Sequence, residues 1–281
     1  MAAKQEIDLS FLKQSYDEIE LPSRGLPYTK DNPFSKGKIH IRPWLTPEEK
    51  IIDKFDRGNF YSIIGRLVGS VIEERVNIET LTDADLFFIL YWIRSITYGS
   101  TYSIETTCPH CGNKVKVKIN IYDYPIKYLS EFEEPFTVLL PSSGIELKMR
   151  LPRVGDLIKS TETKHSDLYK MGTTINPDIY RFALCTSEMI LPNANKDVLN
   201  ENDMENYLPF TLKKIWTALP ANDIVAIRKA ISKFEHGYID NVEVKCSECE
   251  KYFEQAPLLE WNFFRPSNRE SSTDSELSLD I

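Results

Sequence analysis

Four of the five cysteines lie in two CxxC motifs, Cys-Pro-His-Cys at residues 108–111 and Cys-Ser-Glu-Cys at residues 246–249. A CxxC on a tight turn between strands points both sulfurs to one side, and two such turns form the tetrahedral four-sulfur cage that Zn²⁺ prefers. Because 134 residues separate the motifs, tertiary structure must close the cage. We therefore predict one structural Zn²⁺ per chain, bound by Cys108, Cys111, Cys246 and Cys249.

Redox catalysis is the competing chemistry, since Cys-Pro-His-Cys also serves as the active-site tetrapeptide of strongly oxidising thioredoxin-like proteins. Those proteins place the first cysteine at a helix N-terminus, where the dipole lowers its pKa. Here residues 113–119 alternate polar and apolar with period two, which predicts a strand. The context therefore disfavours redox catalysis. The fifth cysteine, Cys185, lies in an apolar stripe and is predicted to be a buried apolar filler.

The elements around the two motifs also repeat. At an offset of 138 positions, residues 81–111 and 219–249 share eight identities in 31 ungapped positions, including Asp85 with Asp223 and Gly99 with Gly237. Each copy reads as a helix, a glycine stop, a strand and a CxxC turn. We therefore expect an α+β fold of two pseudo-repeated helix–strand–knuckle halves joined by a shared four-cysteine, zinc-ribbon-like site. Chance likeness of two similarly built segments is the alternative.

This interpretation divides the chain into four parts. They are an irregular N-terminal arm (1–37), a first repeat with the first knuckle (38–121), a second repeat with a hairpin, helices and the second knuckle (122–266), and a disordered acidic tail (267–281). The matching helices, 85–98 and 223–236, are expected to pack beside the zinc near a pseudo-two-fold axis. Their inward residues would share one core: Ile89, Ile93, Ile227 and Ile231.

Composition excludes several classes of function. The chain has 281 residues, 34 Lys and Arg against 42 Asp and Glu, and a net charge of −8, which opposes binding to nucleic acid or anionic membranes. The apolar run 84–93 is too short to span a bilayer. The chain has no GxxxxGK[ST], GxGxxG or HExxH motif, and none of its four histidines lies in a recognisable nucleophile motif. We expect no enzymatic activity, no small-molecule substrate and no membrane partner.

Several segments together resemble the baseplate hub proteins of T-even-type contractile-tailed bacteriophages, over about residues 20–266. They are Leu-Pro-Ser-Arg-Gly-Leu-Pro-Tyr at 21–28, Ile-His-Ile-Arg-Pro-Trp-Leu-Thr-Pro-Glu-Glu-Lys-Ile-Ile at 39–52, the helix that carries Asp85 and ends at Gly99, the paired CxxC motifs, and Leu-Leu-Glu-Trp-Asn-Phe-Phe-Arg-Pro at 258–266.

The resemblance implies a non-enzymatic hub component or hub assembly factor, with other baseplate and tail proteins as partners. It implies no catalytic residue, and it does not distinguish a hub subunit from an assembly factor. It places the protein in the host cytoplasm during assembly, with the virion baseplate as a further location. The runner-up is a zinc-ribbon adaptor for nucleic acid or the transcription machinery. Lys114, Lys116 and Lys118 would form its basic strand, although the net charge opposes it.

Overall fold

Helices and short antiparallel strands alternate along the chain, so the α+β class is confirmed. The computed structural model describes residues 15–55, 58–162, 176–200, 204–238, 241–256 and 261–264. The first 14 residues of the expected arm and the whole expected tail, 267–281, lie outside these ranges. The helices in the described ranges are α1 (Thr46–Ile52), α2 (Phe60–Gly69), α3 (Asp83–Tyr98), α4 (Val154–Thr161), α5 (Pro177–Leu184), α6 (Met204–Lys214), α7 (Ala221–Ser232) and α8 (Trp261–Phe264).

The strands pair in antiparallel hairpins and in one larger sheet. They are β1 (Asp17–Glu20), β2 (Lys38–Ile41), β3 (Thr101–Thr107), β4 (Lys114–Asn120), β5 (Ile126–Lys127), β6 (Phe136–Leu139), β7 (Glu146–Met149), β8 (Thr186–Ile190), β9 (Val198–Asn200), β10 (Gly237–Tyr238), β11 (Val242–Lys245) and β12 (Tyr252–Gln255). The pairs are β1–β2, β3–β4, β5–β10 and β11–β12, and the four-stranded sheet has the order β6-β7-β8-β9. The strands predicted on both sides of each CxxC motif, and the hairpin near residue 142, are confirmed.

The buried apolar residues form two separate hydrophobic cores. The first core includes Ile89 and Ile93 of α3, whereas Ile227 belongs to the second core and Ile231 packs against it. The predicted core shared by α3 and α7 is therefore wrong. The physical reason is that the inner face of the four-stranded sheet offers α7 its own apolar surface, including Val138 and Leu147, while α3 is already covered within the first core.

The second knuckle does not pack on the core of its own half. Beyond α7 the chain crosses through β10, where the ring of Tyr238 meets Phe88 at 5.7 Å. Gly237 makes this crossing possible, because it has φ +86° and a Cβ there would lie 3.2 Å from the carbonyl oxygen of Ala84. Beyond the crossing, Val244 and Phe253 are buried in the first core. The first core thus carries both knuckles.

Polar contacts join the two halves near the N-terminus of α4. The guanidinium of Arg153 donates to the carbonyl of Pro27 at 2.6 Å, pairs with Glu134 at 2.6 Å and lies over the ring of Tyr28. The carboxylate of Glu162, at the end of α4, accepts hydrogen bonds from the N–H and the hydroxyl of Ser62 in the first turn of α2. Because these groups are largely buried, their hydrogen bonds fix how the halves sit together.

The same turn contact occurs once in each half. Residues 21–25 read Leu-Pro-Ser-Arg-Gly and residues 140–144 read Leu-Pro-Ser-Ser-Gly, each following the first strand of a hairpin. Asp85, the third residue of α3, accepts hydrogen bonds from the Ser23 N–H at 3.1 Å and the Tyr28 hydroxyl at 2.5 Å. Asp223, the third residue of α7, accepts from the N–H groups of residues 142 and 143 at 2.7 and 3.0 Å.

A second contact also recurs, between the hairpin and the helix that follows it. Arg42, after β2, pairs with Glu48 in the first turn of α1 at 3.1 Å. Arg150, after β7, pairs with Asp156 in the first turn of α4 at 2.6 Å. In both cases the carboxylate also accepts the N–H of the residue just before the helix, and thereby caps it.

Candidate metal centre

Two matching turns present the cysteines. In the first knuckle, between β3 and β4, the Cys108 N–H donates to the carbonyl of Asn113 at 3.0 Å and the Gly112 N–H donates back to Cys108 at 2.9 Å. In the second knuckle, between β11 and β12, the same pair of bonds joins Cys246 to residues 251 and 250 at 2.9 and 3.0 Å. The equivalent bonds give both turns one shape, which aims both sulfurs of each turn to the same side.

The structure brings the four predicted cysteines together. The sulfurs of Cys108 and Cys249 are 3.7 Å apart, those of Cys111 and Cys246 are 3.8 Å apart, and all four lie within 4.8 Å of one another. Four thiolates arranged tetrahedrally around Zn²⁺, with Zn–S bonds of about 2.3 Å, are about 3.8 Å from one another. The donor set and spacing therefore fit a tetrahedral Zn²⁺ site.

The thiols influence one another's ionisation. Desolvation opposes the Cys108 thiolate, but the N–H groups of Cys111 and His110 and the neighbouring thiols outweigh it and lower the pKa of Cys108 to about 6. The N–H of Asn113 favours the Cys111 thiolate, but desolvation and the other three cysteines raise the pKa of Cys111 to about 12. One thiolate thus forms readily and further ones are opposed, a repulsion that a bound divalent cation relieves.

The surroundings close the cluster on one side and leave it open on the other. Cys108 and Cys246 are buried, Cys249 is half-buried and Cys111 is exposed, so an ion could enter past Cys111. The imidazole Nε2 of His110 lies 2.9 Å from the carbonyl oxygen of Tyr252 on β12, a hydrogen bond that ties the first knuckle to the second.

The other residues singled out by the sequence lie elsewhere. Cys185 is buried, as predicted, and its burial raises the pKa of its thiol. The three lysines of β4 are exposed, and Lys116 lies directly across the hairpin from Glu105. Sequence reasoning missed the roles of Arg153, Glu162 and the two turn-binding aspartates. The repeated Leu-Pro-Ser-x-Gly pentapeptide could have revealed the aspartates' partners, but its offset of 119 differs from the 138 of the knuckles.

Fold and site together define an α+β protein in which two distant turns meet at a four-cysteine cluster. The described part of the chain contains no helix with both the length and the apolar character needed to cross a membrane. The family model described as T4 bacteriophage base plate protein matches residues 20–259, so the chain belongs to that family. No curated protein and no solved structure matches it significantly. The family membership confirms the resemblance noted in the sequence, and the comparisons give the nucleic-acid adaptor no support.

Proposed function

We propose that the protein is a non-enzymatic component or assembly factor of the baseplate hub, which binds other phage tail proteins during assembly in the host cytoplasm. The observation that carries the proposal is the family match over residues 20–259, which spans both halves and both knuckles. The way in which the two halves are held together also supports such a role. Two cores, a polar junction and a four-cysteine cluster hold the surfaces of both halves in one arrangement.

Fractionation of infected cells tests this role. We expect a tagged chain, expressed in place of the native one, to sediment with baseplate precursors. A hub component would persist in finished particles, whereas an assembly factor would be found only with the precursors. A chain that sediments alone at every stage of infection would contradict the proposal.

The same proposal includes one structural Zn²⁺ held by the four clustered cysteines. Elemental analysis of reduced protein purified without chelator should give one zinc per chain. Cys111→Ser should lose most of the metal, whereas Cys185→Ala should keep it, because Cys185 lies outside the cluster. Two zinc ions per chain would show that each knuckle binds separately, and a value near zero would refute the site.

We also propose that the halves are copies of one unit. The support is the double occurrence of the turn bound by an aspartate, the arginine that pairs with a helix-capping carboxylate, and the knuckle. On this view the first copy runs from β1 to β4 and the second from β6 to β12. Residues 17–37 then belong to the first copy and not to an arm, so the first copy begins before the predicted boundary at 38. The second copy begins at residue 136, after the predicted boundary at 122.

A further inference from the structure

A cleft of about 930 Å³ lies between the two halves, apart from the cysteine cluster. Its walls come from the first turns of α2 and α3 on one side, and from α5 and the end of α7 on the other. This volume is within the usual range for ligand pockets, and it would admit one or two large side chains from another protein.

Three half-buried rings form one wall of the cleft. The ring centroids of Phe60 and Tyr61 are 5.0 Å apart, and the Phe87 ring lies 6.2 Å from the first and 6.4 Å from the second. Their mutual angles are tilted or edge-on. Clustered aromatic rings of this kind attract cations through their quadrupoles.

Asp83 places a carboxylate in the same wall, one helical turn before Phe87. Its Oδ1 accepts the N–H of Ala84 at 2.9 Å, and among the described residues no cation lies within ion-pair distance of it. Burial raises the pKa of Asp83 above its ordinary value and outweighs the hydrogen bond from Ala84 and the charges of His236 and Arg181, which lower it. A cation in the cleft would therefore stabilise this partly desolvated carboxylate beside the three rings.

The two guanidinium groups of the cleft form ion pairs with another carboxylate, although the charge of Arg181 also acts on Asp83. Arg181 and Arg228 both pair with Asp178, at 2.5 and 3.1 Å. With Glu235 exposed at the rim, the charged residues of the lining are three carboxylates and two guanidinium groups, and so the cleft retains a net negative charge. Its charge therefore complements a cationic ligand.

We propose that this cleft receives a lysine or arginine side chain of a partner protein, with Asp83 as its counter-ion and the rings of Phe60, Tyr61 and Phe87 as its wall. That the partner is a tail protein rests on the proposed function. The preference for a cation rests only on the cleft, so the two can fail separately.

Capped tripeptides of the form Gly-X-Gly are suitable probes, with lysine, arginine, norleucine or glutamate at X. Norleucine has the four-carbon chain of lysine without its ammonium group. In NMR titrations of the full chain we expect lysine and arginine peptides to bind with dissociation constants of about 1 mM. We expect them to shift signals of residues 60, 61, 83 and 87, and to bind about tenfold more tightly than the norleucine peptide. The glutamate peptide should not bind.

Variants test whether the preference for lysine over norleucine arises in the cleft. Asp83→Asn should abolish the preference for lysine over norleucine, and Phe87→Leu should weaken lysine binding about threefold or more. Glu243→Gln, which removes an exposed carboxylate outside the cleft, should change it less than about twofold. Equal binding of lysine and norleucine, or a preference that survives Asp83→Asn in folded protein, would overturn the proposal. So would the absence of any shift at these residues, the result expected if another part of the chain fills the cleft.

Discussion

Gly112 and Glu250 occupy the same position in the two knuckles, the residue after the second cysteine. Both have left-handed backbone conformations, with φ +73° and +60°. Only glycine adopts such a φ without steric cost, since other residues lose about 1 kcal/mol there. The second knuckle therefore tolerates a strain that the first avoids.

Substitutions at this position should have unequal effects. Gly112→Ala should destabilise the zinc-loaded protein by about 1 kcal/mol, although a Cβ there meets no atom within 4 Å, because the cost lies in φ alone. Glu250→Gly should relieve strain but add freedom to the unfolded chain, and so change stability by less than about 0.5 kcal/mol. Urea unfolding measures both, with Glu250→Ala as the control that keeps the strain. Equal losses for Gly112→Ala and Glu250→Gly would show that φ is not the cause.

His40 gives the molecule a pH-dependent contact on β2. Its Nδ1 lies 2.8 Å from the Glu74 carboxylate, and this hydrogen bond raises the pKa of His40 above 6.5. The folded protein therefore holds the proton more tightly than the unfolded chain does. The stabilisation is complete below pH 6.5 and is lost as the pH rises through the raised pKa of the folded state.

The stability difference between the wild type and His40→Gln should therefore be larger at about pH 5.5 than at about pH 8.5. The pKa of Glu74 is lowered, so this carboxylate stays ionised at both pH values. Thermal unfolding of the two proteins at each pH gives the comparison, and Glu74→Gln should remove most of the difference between pH values. A stability difference that grows with pH would contradict the sign.

At the scale of elements, the hairpins are held by the helices that lie far from them in sequence. Asp85 reaches back 62 residues to Ser23, and Asp223 reaches back 81 residues to Ser142. The turn at residue 23 is buried, whereas Ser142 is exposed. Both carboxylates are buried, but their partners in the turns differ in exposure. Removing the carboxylate should therefore cost more at the turn whose N–H groups water cannot reach.

Asp85→Ala should destabilise the protein by about 3 kcal/mol and Asp223→Ala by about 1 kcal/mol, since a hydrogen bond to a charged group contributes about 1.5–3 kcal/mol and the loss is larger for buried partners. Urea unfolding of both variants tests the order. The asparagine variants, which keep one acceptor oxygen, should each lose less than the alanine variant at the same position. An equal cost at the two sites would mean that burial does not set the size of the effect.

The sequence predicts where helices and strands lie better than it predicts which surfaces they pack against. Period-two alternation in residues 113–119 indicates β4, and the CxxC spacing predicts which cysteines meet. The packing of α7 cannot be predicted in the same way, because Ile227 and Ile231 indicate an apolar face but not the surface that covers it. Similarly, few turn signals precede β1, so the sequence does not distinguish this strand from an irregular arm. Its partner β2 is separated from it by 17 residues.

At the scale of the whole molecule, the cysteine cluster ties the second knuckle to the core of the first half. Val244, Cys246 and Phe253 are buried in the first core, and the described part of the second core contains no residue of either knuckle. Metal binding at such a site contributes directly to folding free energy. Removing the proposed Zn²⁺ should therefore loosen the knuckles and the part of the first core that they cover, while the four-stranded sheet keeps its own apolar support.

Hydrogen exchange before and after chelation distinguishes this local loosening of the knuckles from the unfolding of a core shared by both halves. We expect amides of β3, β4, β11 and β12 to lose protection, while β7 and β8, central in their sheet, keep theirs. Exposure of Val244 and Phe253 should also increase binding of an apolar dye, because both are less than a tenth exposed in the folded protein. Restoring about one equivalent of Zn²⁺ should reverse both changes, which separates metal loss from irreversible damage. If β7 and β8 open together with the knuckles, the two cores unfold as one unit, and the independence inferred from their separate packing does not hold.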